Sequence, residues 1–300
     1  MPELGVSFSL HRCAELGVDK KSCLRAAISE LGFRRFRLMS YWNIHEQTRG
    51  HYNFSELDWQ IDMIAKAEGT VTMCLGMRQP RWPEFHVPEW AQKLTVAERN
   101  DALAKYISVV IDRYKNRDVV ISWQLENEAL LQSFGDNRLG DFDRSRLRRE
   151  FKLVKSLDNT RPVIMTLSDS WGLPWRRPKP DMFAMSMYRI TRNKQGEIVH
   201  SKRPALFYRL RRWLILVLRW RRTFIHEMQA EPWFDRAIGE VPIKDQLSQM
   251  PVLQIQKTIA YAQRTGAKTV DLWGLEWWYW LKVRKNEPAL WDGMVKNGTV

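Results

Sequence analysis

Cysteine is scarce. Cys13, Cys23 and Cys74 are the three among 300 residues. Three thiols cannot all pair within one chain, and their spacing fits no common metal motif. Free thiols in a reducing compartment, the cytoplasm, are therefore expected. Long apolar runs are missing too. No stretch reaches the roughly 18 residues of a membrane-spanning helix. Met1–Gly5 shows no basic start followed by an apolar run, so no secretory signal is expected. No Gly-rich phosphate loop, dinucleotide fingerprint, zinc-finger spacing or RNA-binding signature occurs. His45, His51, His86 and His226 stand at no metal-ligand spacing. Neither a cofactor nor a metal is expected. Acidic residues are outnumbered, 34 against 48 Lys and Arg, for a net charge of +14. Such an excess can serve nucleic acid or an anionic surface. Much of it is spread through helix-like segments as solvated faces, so no specific nucleic-acid partner is expected.

What is present is alternation. Strand signals fall at Gly5–Leu10, Arg34–Tyr41, Thr70–Gly76, Val119–Gln124, Pro162–Leu167, Met182–Met187, Thr223–His226 and Thr269–Trp273. Helical patterns lie between them, among them Lys20–Leu31, Val96–Tyr114, Phe142–Leu157 and Ile243–Thr265. Alternation implies a parallel sheet with helices outside. Eight units in a chain not much longer than about 250 residues fit one closed (β/α)8 barrel, a TIM barrel, better than an open sheet. The expectation is an α/β protein with a single domain over residues 1–300.

The chain is organised around Ile121-Ser122-Trp123-Gln124-Leu125-Glu126-Asn127-Glu128-Ala129. An apolar strand stops abruptly on an amide between two carboxylates. Barrel enzymes place their chemistry where strands end in this way. A second acidic strand end comes at Arg222-Thr223-Phe224-Ile225-His226-Glu227. Tryptophan is abundant, with 15 copies. Flat indole faces suit the C–H faces of sugars, although about half of these rings should simply fill the core.

These residues resemble clan A retaining glycoside hydrolases. Trp123-Gln124-Leu125-Glu126-Asn127-Glu128 resembles their fourth-strand Asn-Glu motif, and Glu227 their seventh-strand nucleophile. Phe36-Arg37-Leu38 with Tyr41-Trp42 resembles the second-strand region. Leu272-Trp273-Gly274 through Trp278 resembles the eighth-strand aromatic. Gly50-His51-Tyr52-Asn53-Phe54-Ser55 through Asp58 is similar to the turn and helix after strand two in beta-galactosidase-like members. The resemblance spans nearly the whole chain. It implies a carbohydrate substrate, Glu128 as general acid and base, and Glu227 as nucleophile, with the two carboxyl groups about 5–5.5 Å apart. It also implies that Asn127 bonds the hydroxyl beside the anomeric carbon and that Tyr188 bonds the nucleophile.

Arg37 is expected beside Glu227, as a cation favouring its ionised form or as a purely structural ion pair. Trp273 and Trp277 are candidate floors beneath a sugar. Trp42 and Trp82 are candidate cleft walls, with core or rim packing the alternative for each. Glu126 is expected one layer deeper than Glu128, in a buried pair with an arginine, and Glu231 at the rim. The competing functional readings are a transglycosylase and an idle barrel that binds carbohydrate or a protein.

One segment stands apart. Residues 202–222 carry eight Lys and Arg, no acid, and the apolar run Trp213–Leu218. It reads as the sixth barrel helix, or as a helix resting on an anionic membrane surface.

Overall fold

In a computed structural model of the protein, which describes residues 2–81, 83–129, 131, 143–169, 178–193, 195 and 197–296, eight parallel strands close into a (β/α)8 barrel. Six come first: β1 (Glu3–Phe8), β2 (Arg35–Met39), β3 (Thr70–Leu75), β4 (Val120–Leu125), β5 (Val163–Leu167) and β6 (Met182–Met187). A short antiparallel hairpin, β7 (Ile190–Arg192) and β8 (Ile198–His200), stands apart from the barrel. Then come β9 (Arg222–Gln229) and β10 (Thr269–Trp273), and β10 pairs with β1 to close the ring. These strands are buried on both faces, which is why they read as apolar runs rather than as strict alternation.

Inside the barrel, alternate residues meet. Thr72 of β3 bonds Ser122 of β4 at 2.9 Å, and Arg37 of β2 donates to Gln124 of β4 at 2.8 Å. The period of two puts Arg35 and Arg37 on one side of β2, and Arg35 pairs with Asp271 of β10 at 2.8 Å. The inner wall is thus polar and cross-bonded, and most apolar bulk lies in one cluster that takes in strands and helices alike.

The helices end where local chemistry dictates. Thr95 and Glu98 form a capping box that starts Val96–Tyr114. The expected single helix over Ile243–Thr265 is two, Ile243–Gln249 and Val252–Arg264, because Pro251 lacks the amide a continuous helix needs there. Strand β9 runs to Gln229, three residues beyond its expected end. The helix Leu275–Arg284 follows β10 directly and carries Trp277, Trp278 and Trp280.

Candidate active site

Strand β4 ends at Leu125, and the next residues take an unusual path. Glu126 and Glu128 both have left-handed backbones, with φ of 51° and 41°. For residues with side chains this is strained by about 1–3 kcal/mol each. The turn sends three neighbouring side chains in three directions. Glu126 accepts from the backbone amides of Met77 (3.1 Å) and Arg78 (2.8 Å) and pairs with buried Arg146 at 2.9 Å. It belongs to the scaffold and does not lie a layer deeper on the same strand face. Gly76 makes room for it. This glycine has φ of 110°, and a Cβ there would lie 2.5 Å from the Glu126 carboxyl carbon. Asn127 turns its carbonyl oxygen to Arg37 (3.0 Å) and its amide nitrogen toward Glu84 (3.4 Å). Glu128 alone reaches the cavity above the barrel.

Strand β9 delivers the second carboxylate through a bulge. Met185 lies opposite Ile225, but Ser186 lies opposite Glu227. On the other flank Val270 lies opposite Ile225 and Leu272 opposite Met228. One extra residue in β9 bends the strand just before it ends. Glu227 accepts from Arg37 Nη1 at 3.0 Å and from the Tyr188 hydroxyl at 2.6 Å. Arg37 also donates to Gln124, Asn127 and, at 3.4 Å, the His226 carbonyl. It is wholly buried beneath the cavity rather than on its wall. Burial first, then Arg37, holds His226 far below the ordinary histidine range, so its imidazole is neutral.

Glu128 and Glu227 line the same cavity, of about 1690 Å3, together with Ser186, Tyr188 and Trp233. Burial, and next the charge of Glu227, push the Glu128 carboxyl up to about 8, while the Ser186 hydroxyl that donates to it acts the other way. Burial and then Glu227 hold the Tyr188 hydroxyl far above its ordinary value, so it remains a donor. A carboxyl that keeps its proton near neutrality thus shares a pocket with one held by a guanidinium and a phenol. A protonated carboxyl facing a second carboxyl across one pocket is what acid and nucleophile roles require.

The aromatic candidates divide. Trp273 reaches the cavity wall, but the Arg81 guanidinium carbon lies 4.1 Å from its ring centroid and covers one face. Arg81 also bonds Glu231 at 2.5 Å, and Arg12 bonds Glu231 at 3.2 Å. Burial would raise Glu231, but the two guanidiniums outweigh it and hold the carboxyl below its usual range. Glu231 lines the cavity as expected of a rim residue. Two expectations need correction. Trp277 and Trp42 do not line the cavity. Both are fully buried, with their indole N–H groups donating to Gln246 at 2.7 Å and to Glu46 at 2.6 Å. A ring whose faces are packed has none left for a sugar. Trp82 lies outside the described residues.

Among the cavity residues that were not anticipated are Ser186, Arg81, Glu84 and Trp233. Trp233 could have been found, because Pro232-Trp233 comes soon after strand seven, which ends at Gln229, much as Trp42 comes soon after strand two, which ends at Met39. Glu84 pairs with Arg78 at 2.5 Å and adds to the upward push on Glu128. Nothing local marks Glu84, Arg81 or Ser186.

No family model matches the chain. Beta-galactosidase 13 of Arabidopsis thaliana is 27% identical over 154 residues, 45% of this chain and 18% of that protein. Among solved structures, a beta-galactosidase from the psychrophilic Marinomonas ef1 superposes with a TM-score of 0.59 at 13% identity, over 90% of this chain and 53% of that one. An exo-beta-1,4-mannosidase from Opitutaceae bacterium strain TAV5 gives 0.61 at 15%, over 91% and 51%. An endo-beta-1,4-xylanase of glycoside hydrolase family 10 from Gloeophyllum trabeum gives 0.62 at 12%, over 100% and 96%. These structural neighbours are glycoside hydrolases, and the chain shares their barrel. At such identities the likeness is one of fold. The chain spans under a fifth of the Arabidopsis protein and 53% of the Marinomonas enzyme.

Proposed function

We propose that the protein is a retaining glycoside hydrolase that cleaves O-glycosidic bonds by double displacement. One observation carries the reading: Glu128, its carboxyl pushed up to about 8, lines the same cavity as Glu227, which accepts from Arg37 and Tyr188. Glu128 gives its proton to the leaving oxygen while the Glu227 carboxylate attacks the anomeric carbon, forming a glycosyl ester. Glu128 then takes a proton from a water that displaces Glu227 and restores both groups. Tyr188 and Arg37 hold the Glu227 oxygens in place for attack. Asn127, expected against the hydroxyl beside the anomeric carbon, is instead buried off the cavity wall and bonded to Arg37 and Glu84, where it positions the turn that aims Glu128. Trp233, part-exposed on the cavity wall, offers a ring to a sugar. A transglycosylase would use the same carboxylates with a second sugar in place of water.

The proposal takes residues 1–300 as one catalytic domain. Three buried, unpaired thiols support a reducing, cytoplasmic setting.

A panel of nitrophenyl glycosides, including galactoside, glucoside, mannoside and arabinoside, tests the activity. Turnover of at least one is expected, with loss of rate in Glu227→Gln. NMR of the first-formed product should show the substrate's anomer. An inverted product, or equal rates for wild type and Glu227→Gln, overturns the mechanism. Sugar binding without turnover supports the idle-barrel reading instead.

A further inference from the structure

The helix Ala205–Arg219 packs on the barrel through Phe207, Tyr208, Arg211 and Ile215. That face satisfies the ordinary demand on a barrel helix. The opposite face is apolar as well. Leu206, Leu210, Trp213, Val217 and the C-cap Trp220 recur at spacings of four, three, four and three. At about 100° per residue they fall on one straight stripe, opposite the buried side. Seven of the fifteen exposed large apolar residues among the described ones lie between Leu206 and Trp220, and Trp220 is 83% exposed. The clustering needs a reason that scattered surface leucines do not.

The charge around the stripe is of one sign. Residues 202–222 hold no acid, and Lys202, Arg209 and Arg222 are exposed. Among the described residues none of these three has a carboxylate partner. A second copy of the chain would set cation against cation across such a face. A nucleic acid would call for cations at the centre, where this surface has hydrocarbon. No helix among the described residues is long and apolar enough to cross a membrane. A bilayer with anionic headgroups satisfies both features: the stripe enters the acyl boundary and the flanking cations meet phosphates.

We infer that the outer face of the Ala205–Arg219 helix docks on an anionic lipid surface. Trp213 and Trp220 sit at the headgroup level, where indole rings favour a half-wet position. The start of the helix adjoins the cavity. The Tyr208 hydroxyl donates to Asp169 at 2.6 Å, and Asp169, Val199 and Lys202 line the cavity wall. Docking therefore brings the cavity's rim to the bilayer.

The test is co-sedimentation of the full chain with vesicles of phosphatidylcholine alone and of phosphatidylcholine mixed with phosphatidylserine. Binding is expected to the mixed vesicles. The triple variant Leu210→Ser/Trp213→Ser/Val217→Ser should bind them at least about tenfold more weakly, since it removes three apolar groups from the contact. Arg209→Gln/Arg222→Gln should also weaken it, and quenching by brominated lipid should be lost with Trp213 and Trp220. These positions are on the surface, so circular dichroism should show wild-type melting for each variant. Several results overturn the inference: no binding to mixed vesicles; binding that survives the triple substitution and vanishes only with salt; or self-association in sedimentation velocity that the triple variant abolishes. Glycosidase activity is measured in parallel without lipid, so failure here is distinct from failure of the carboxylate assignment.

Discussion

Ser186 stands opposite Glu227 in the β6–β9 ladder, and its hydroxyl donates to Oε1 of Glu128. One small side chain on β6 therefore touches the proposed acid and shares register with the proposed nucleophile. The hydrogen bond favours the charged form of Glu128. Ser186→Ala should move the alkaline limb of kcat/KM upward by about one pH unit, the scale of a hydrogen bond to a charged group. A pH–rate profile against wild type checks it, and a limb that stays put or moves down contradicts the assignment.

Loss of the acid should show in its dependence on the leaving group. Glu128→Ala should slow alkyl glycosides by about 10²–10⁴-fold, the range for general acid catalysis, and nitrophenyl glycosides much less. A phenolate that leaves readily needs little protonation. Steady-state kinetics over a series of aglycones measures the slope. Equal slowing across the series would show that Glu128 does not protonate the departing oxygen.

Stability should depend on pH through the same group. Unfolded, Glu128 titrates near 4.5; folded, its carboxyl is pushed up to about 8. Between these values the folded protein keeps a proton that the unfolded chain releases. Its contribution is therefore full below about 4.5, declines as pH rises, and is gone above about 8. Buried Glu150, pushed up to about 7, acts in the same direction. Thermal melting of wild type should fall across this interval more steeply than that of Glu128→Gln. Parallel curves would place the carboxyl in water.

Arg37→Met should destabilise the fold by about 3–5 kcal/mol, the range for breaking a buried ion pair from one side. It leaves Glu227, Gln124 and the Asn127 carbonyl short of a donor. Arg37→Lys should be nearly as damaging, since one ammonium cannot span the guanidinium's partners. Urea unfolding followed by circular dichroism supplies the measurement.

Trp233→Ala should raise KM by up to about tenfold, the scale of a ring-stacking contact, with kcat nearly unchanged. The residue is 40% exposed, so melting should hold within about 0.5 kcal/mol. A drop in kcat at constant KM would assign it a different role.

The barrel was legible because its strands are buried on both faces. Met182–Met187 and Thr269–Trp273 match their expected limits residue for residue. The expected end of strand β9 falls short because Glu227 and Gln229, which line the cavity, interrupt its apolar run. The hairpin Ile190–Arg192 with Ile198–His200 left no pattern to find: half of it is exposed and no core face fixes an alternation. Glu128 and Glu227 could be singled out because each follows closely on an apolar strand signal in the sequence. Arg81 could not, since its meaning comes from Trp273 and Glu231, far along the chain. Trp277 and Trp42 misled for a related reason: a tryptophan's position beside a strand end does not say which way its ring points.

Gly76 lies outside the cavity wall and touches no reacting group. Yet Glu126 occupies the space a methyl group at position 76 would take, and Glu126 is the anchor of the turn that ends in Glu128. A single added carbon behind the pocket would thus unseat Glu128, the proposed proton donor, while leaving every residue that lines the cavity chemically intact. Damage of that kind would look like a catalytic lesion in an assay, and would be traceable only by following the backbone from the third strand to the fourth.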